Sequence, residues 1–137
     1  MEPSPNPYPP YRTLIQEQEP VGSRFDLKVD MAIAYGLDST LPARMADWRD
    51  LGYRVGVMTG LAWGQYQPYI LGEWDGRDHE DEAQCMVGGA PRVHGPHVPY
   101  MVPSDPYARY LAELLGQAIN LGAEAVFLEE PEFWAAA

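Results

Sequence analysis

The sequence predicts an α/β fold built on a parallel sheet, and three observations carry that expectation. Apolar strand-like runs alternate with helix-like segments. A glycine closes each helix and opens the strand that follows, and the alternation occurs twice within 137 residues. A chain of this length supports one domain with an ordinary core and leaves little room for a second. Strand–helix–strand with tight joints demands parallel neighbours, because the crossover helix returns the chain to the end it left.

The first strand is expected over 25–35. Phe25, Leu27, Val29 and Met31 alternate with polar residues, and Met31-Ala32-Ile33-Ala34 then runs continuously apolar, as a strand covered on both faces does. A turn at Gly36-Leu37-Asp38-Ser39 leads into a helix over 40–51. Thr40 is its expected N-cap, Pro42 fits the first turn where a missing N–H is harmless, and Gly52 is the stop. Leu41, Met45, Trp48 and, at its end, Leu51 are expected to share one face of that helix. The second strand is expected over 53–58. A second helix, 105–121, opens at Asp105-Pro106 with Asp105 as capping carboxylate. Tyr107, Tyr110, Leu111, Leu114, Leu115, Ala118 and Ile119 recur along it at helical spacing. Gly122 ends it, and Ala125-Val126-Phe127-Leu128 reads as a buried strand within 124–130. The tracts 51–58 and 121–128 share one order of helix end, glycine and strand, a weak internal repeat.

Two stretches depart from this rhythm. Prolines crowd 3–10 with Tyr8 and Tyr11 interleaved, so 1–24 is expected to be an extended N-terminal arm preceding a domain at 25–137. The stretch 59–104 far exceeds an ordinary connection. It follows the carboxyl end of a strand, where parallel α/β folds place their ligands.

Charge and composition exclude several classes. With 20 acidic against 9 basic residues the net charge is −11, which repels a phosphate backbone and argues against nucleic acid as partner. Neutral hydroxyl-rich or cationic ligands are tolerated. No apolar run reaches the ~20 residues of a bilayer span, and the first residues lack a basic and then apolar leader, so no membrane partner is expected. The single cysteine, Cys85, permits no internal disulfide and makes a reducing cytoplasm the default. Of His79, Cys85, His94 and His97 only His94 and His97 form a short pair where a zinc site shows two, so a solvated acidic loop with incidental histidines is expected, and the acidic stretch 74–82 does not match a calcium loop. Gly88-Gly89 precedes Ala-Pro and not a helix, so no phosphate cradle forms there. No metal and no cofactor is expected.

The aromatic and acidic residues hold the chemistry that remains. Trp48 belongs to a helix face, but Trp63, Trp74 and Trp134 all follow strand ends, with Tyr66, Tyr69 and Tyr100 near in sequence. They either seal the long loop onto the sheet or form a platform for the apolar face of a sugar ring. Glu129, Glu130 and Glu132 crowd the end of the last strand. Either they are solvated acids facing helix N-termini, or one of them is a general acid or nucleophile. Successive strand residues point to opposite faces, so Glu129 and Glu130 are not expected to share a pocket. Asp38, at the first strand's end, is placed to bind a hydroxyl.

The tract Ala125-Val126-Phe127-Leu128-Glu129-Glu130-Pro131 resembles the end of the fourth strand in clan-A-type (β/α)8-barrel glycosidases, where Asn-Glu-Pro carries the acid/base glutamate. By position Glu130 corresponds to that glutamate and Pro131 to the proline, while Glu129 stands where the family has asparagine. Trp63-Gly64-Gln65-Tyr66 after an early strand and the Glu-Pro-Glu-Phe-Trp strand end are similar in style to the N-terminal half of such barrels, over about 25–134. The resemblance implies a partial (β/α)8-type barrel with a long loop after the second strand, since a whole barrel takes about 250 residues. It implies a carbohydrate partner, hydrolysed or bound, with Glu130 as acid/base and Glu129 and Glu132 as further candidates. Asp38, Trp63, Tyr66, Trp74 and Trp134 would shape the sugar subsites. The alternative is a non-catalytic carbohydrate-binding or assembly module. A partial barrel is further expected to be catalytically silent alone, and to self-associate or recruit a chain that completes it.

Overall fold

A computed structural model describes residues 13–17 and 29–131. In chain order the elements are strands β1 (Leu14–Gln16) and β2 (Met31–Tyr35), helix α1 (Leu41–Asp50), strand β3 (Arg54–Gly60), short helix α2 (Tyr66–Ile70), hairpin strands β4 (Val93–Gly95) and β5 (Val98–Pro99), helix α3 (Asp105–Asn120) and strand β6 (Val126–Glu129). Strands β1, β2, β3 and β6 form one sheet in that order, and every neighbouring pair is parallel. The expected α/β class with a parallel sheet is observed, and among the described residues the strand that ends in Glu129 is the fourth of that sheet.

Alternation along the strands sorts the side chains between two faces. Ala32 and Ala34 of β2 pair with Val55 and Val57 of β3, and all four are buried with Leu41, Met45 and Trp48 of α1 and Ala118 of α3. Both helices therefore cover the same face, and the small alanines let them approach closely. The other face carries Met31, Ile33, Tyr35, Met58, Phe127 and Glu129. Gly56 lies among them for a steric reason. A Cβ there would meet the Met31 sulfur at 2.9 Å and the Phe127 ring at 3.3 Å.

The internal repeat corresponds to one recurring piece of backbone. At the end of α1 the Gly52 N–H bonds to the Arg49 carbonyl (2.8 Å) and the Tyr53 N–H to the Trp48 carbonyl (3.1 Å). At the end of α3 the same bonds run from Gly122 to Ile119 (2.9 Å) and from Ala123 to Ala118 (3.0 Å). Both are Schellman caps, which require a left-handed residue after the C-cap, and the glycines supply it at φ 90° and 95°. Tyr53 completes the first by packing edge-on against Trp48, ring centres 5.3 Å apart.

Several expectations are corrected. Strand β1 falls inside the stretch expected to be an arm, and Glu17 just after it is buried. Glu17 pairs with Arg44 of α1 and accepts from the Trp48 indole N–H at 3.2 Å, which ties β1 to α1. The strand expected over 25–35 is β2, which begins at Met31; residues 25–28, the proline-rich stretch 3–10, Glu132 and Trp134 lie outside the described residues. Thr40 has helical backbone angles and does not cap with its side chain. Asp38 closes that turn instead, its Oδ1 accepting from the Thr40 N–H at 2.8 Å. On α3 the cap is Ser104, whose extended backbone lets its Oγ accept from the Tyr107 N–H at 3.1 Å. Asp105 is then the first helical residue, where its charge opposes the helix dipole. Strand β6 is not buried on both faces: Val126 and Leu128 are 37% and 48% exposed.

The long stretch after β3 is ordered by a second core. Tyr69, Met101, Tyr107, Tyr110 and Leu111 are buried together, joining α2 and the hairpin region to α3. Tyr107 and Tyr110 reach back to the carbonyls of Gly64 (3.0 Å) and Gln65 (2.6 Å), which pins the turn that follows β3.

Candidate functional site

Three strand ends and one hairpin converge at the carboxyl end of the sheet, on the face opposite the helices. Glu129 of β6 is the register partner of Gly60 at the end of β3. The Tyr35 hydroxyl, from the end of β2, donates to Glu129 Oε1. Beyond Gly60 the chain turns tightly, with the Gly64 N–H bonding to the Gly60 carbonyl at 2.8 Å. A side chain at Gly64 would strike that carbonyl oxygen at 2.3 Å, so the turn needs glycine. It folds the Trp63 ring back over Gly60, where a Cβ would come within 2.5 Å of the indole. From there the indole N–H donates to Glu130 Oε2 at 3.0 Å.

His94 arrives from β4. Its ring stacks on Trp63 with centres 4.4 Å apart and planes 17° from parallel, and its Nδ1 lies 2.9 Å from the same Glu130 oxygen. The Tyr100 hydroxyl lies 3.3 Å from that nitrogen. Glu130 remains 37% exposed and His94 34%, so solvent and solutes reach the pair.

The expectation that Glu129 and Glu130 diverge holds only for an extended backbone. Glu130 takes φ 47°, a left-handed conformation that ends the strand and breaks the alternation. Both carboxylates consequently reach one aromatic cluster. The Tyr35 phenol feels both: its pKa is raised well above the usual tyrosine value, first by burial, then by the hydrogen bond and charge of Glu129, then by the charge of Glu130.

The other sequence candidates lie elsewhere. Trp74 packs on Tyr69 and Tyr110 and donates its indole N–H to Glu113 at 2.7 Å, so it seals the long loop against α3. Tyr66 packs beside that second core and donates to the His97 carbonyl at 3.2 Å. Asp38 sits at the head of α1, where its carboxyl is held below the usual range; burial pushes the other way, but the Thr40 hydrogen bonds and Arg44 outweigh it. Of the eight site candidates, Glu129, Glu130 and Trp63 come together here. Tyr35 and His94 join them without having been singled out. Tyr35 was legible as the last residue of an apolar strand, whereas the sequence marks His94 only as a candidate metal ligand, because its place beside Glu130 depends on how the hairpin folds back.

A second acidic cluster organises the long loop. His79 is buried and stacked on Tyr69 at 4.0 Å, with Nε2 3.0 Å from Asp75 and Nδ1 3.1 Å from Glu82. Glu82 also accepts from the hydroxyls of Tyr69 and Ser104. Burial alone would lower the His79 pKa, but the two carboxylates outweigh it and the value is raised. Among the described residues no group of three or more His, Cys, Asp and Glu side chains is arranged to hold a metal ion.

Comparison of the chain with protein-family models, with characterised proteins and with solved structures returns no match. Among the described residues no helix is long and apolar enough to cross a membrane.

Proposed function

We propose that the cluster at the carboxyl end of the sheet is a carbohydrate site of glycosidase type, with Glu130 as its acid/base and Glu129 as a second carboxylate positioned by Tyr35. The observation that carries this reading is the convergence of two strand-end carboxylates on the aromatic pair Trp63–His94, with Glu130 and His94 partly exposed. Aromatic rings at such a cluster pack on the apolar side of a pyranose, while adjacent carboxylates accept from its hydroxyls. The position of Glu130 directly after the fourth parallel strand supports the same reading. In this proposal the sheet is part of a (β/α)8-type barrel, a view supported by the sequential strand order and by both helices lying on one face. A single cysteine suits the reducing cytoplasm we assign to it.

A non-catalytic carbohydrate-binding module is the second reading, and one observation favours it. Among the described residues the carboxylates in contact with the cluster are Glu129 and Glu130, both from a single strand end. Glycoside cleavage uses two carboxyls flanking the scissile bond, about 5–5.5 Å or 6.5–9.5 Å apart. Titrating the tryptophan fluorescence with oligosaccharides and assaying a panel of aryl glycosides separates the two. Turnover that disappears in Glu130→Gln supports the catalytic reading. Binding that survives Glu130→Gln, without turnover in either form, supports the module, and no response to any sugar rejects both.

A further inference from the structure

A groove of about 520 Å³ opens on the helix side of the sheet's carboxyl end, between the start of α1, the α2 turn and α3. Its volume is that of a small-molecule site. None of Tyr35, Trp63, His94, Glu129 or Glu130 lines it, so it is distinct from the carbohydrate cluster and does not depend on that reading. Two carboxylates line it, Asp38 from one side and Glu73 from the other, and its described lining contains no Lys, Arg or His. On Asp38 the contacts from Thr40 and Arg44 all meet Oδ1, and half of the side chain is exposed. Glu73 is exposed too, and its charge is felt by the Tyr110 phenol.

Between the carboxylates the lining is aromatic and aliphatic, with Trp74, Tyr110 and Leu114 among its residues. Trp74 is locked by its bond to Glu113, and its ring centre lies 5.8 Å from that of Tyr110. An aromatic wall with acids on two sides suits a ligand that is apolar along its length and cationic at its ends. Ammonium groups gain from carboxylates and from aromatic faces, and an anion would meet the charge of Glu73 and the open side of Asp38. The net charge of −11 raises the local concentration of such cations further.

We propose that this groove binds a linear aliphatic diamine or polyamine, its ammonium groups held by Asp38 and Glu73 and its methylenes laid along Trp74, Tyr110 and Leu114. Calorimetric titration of the full chain with spermidine at physiological salt tests it, with tryptophan fluorescence as a second readout. One saturable site is expected, weakened roughly tenfold in Glu73→Gln and abolished in Glu73→Lys, with Asp47→Asn on the exposed side of α1 unchanged. Because Glu73 is exposed, these variants keep the fold, which circular dichroism verifies. Three results overturn the proposal: no saturable binding, equal binding of hexane-1,6-diol, or equal weakening by Asp47→Asn and Glu73→Gln. The last would mean that the chain attracts cations only through its overall charge.

Discussion

The Trp63 indole rests on Gly60 and donates to Glu130 from that position. The absence of a side chain at one strand end thus sets where a carboxylate from the neighbouring strand is held. A Cβ at Gly60 would lie 2.5 Å from the ring, a distance no packing tolerates. Gly60→Ala should displace Trp63, break its bond to Glu130 and destabilise the chain by about 1–3 kcal/mol, the usual range for overpacking. Urea unfolding measures the loss, and near-ultraviolet circular dichroism reports the ring. An unchanged spectrum and midpoint would show that the indole does not sit over the glycine.

Tyr35 provides an independent probe of the two glutamates. Burial is the first cause of its raised pKa, and Glu129 the second through both hydrogen bond and charge. Glu129→Gln removes the charge while keeping the shape, so the phenol should ionise at lower pH. Glu130→Gln should act in the same direction and more weakly, because it contributes charge without a hydrogen bond. Difference spectra of tyrosinate formation, assigned with Tyr35→Phe, measure both. If the two variants titrate as the parent chain does, the carboxylates do not face Tyr35.

The sheet was legible in the sequence because its signals are local. Apolar runs, the glycine stops at 52 and 122 and the helical spacing of α3 each act over a few residues, and each reappears as an element or a cap. Strand β1 was hidden because Leu14-Ile15-Gln16 is too short to show a period, and its place comes from pairing with β2. The site was legible in part for the same reason. Glu129, Glu130 and Trp63 stand at strand ends that the pattern located. Their convergence required the left-handed angle of Glu130, a non-glycine conformation that residue type does not announce. Trp74 looked equivalent to Trp63 in sequence and differs only because α3 returns to cover it.

His79 should make the long loop sensitive to pH from both sides. Its folded pKa is raised, so the stability it contributes is fully present below about 6.5 and is lost as pH climbs through the raised value. Glu82 and Asp75 are lowered. For Glu82 burial works against the hydrogen bonds of Ser104, Tyr69 and His79 and is outweighed, while for Asp75 the Arg77 N–H is the leading cause. Their stability is present above the ordinary carboxylate range and fades as pH falls through the lowered values. The loop should therefore be most stable in mildly acid solution. His79→Gln should lower the urea midpoint most there and flatten the alkaline decline. Equal losses at about pH 6 and pH 9 would show that the imidazole is neutral in the fold throughout.

Strand β6 presents the last testable surface. On the helix side Val126 and Leu128 are 37% and 48% exposed, and among the described residues β6 has one strand neighbour, β3. Exposed apolar side chains beside an unpaired strand edge recruit other chains, so we expect self-association or capture of a chain that completes the sheet. The net charge of −11 opposes this by repulsion. At physiological ionic strength that repulsion is screened over about 8 Å, whereas burying a large apolar side chain contributes about 1.5–3 kcal/mol at contact. Association should therefore increase with salt. Light scattering across a salt series follows it, and Leu128→Lys, which leaves Phe127 and Glu129 on the other face of β6 unchanged, should hold the chain monomeric throughout. A parent chain that stays monomeric even where salt has screened the repulsion would show that the apolar face of β6 does not drive association.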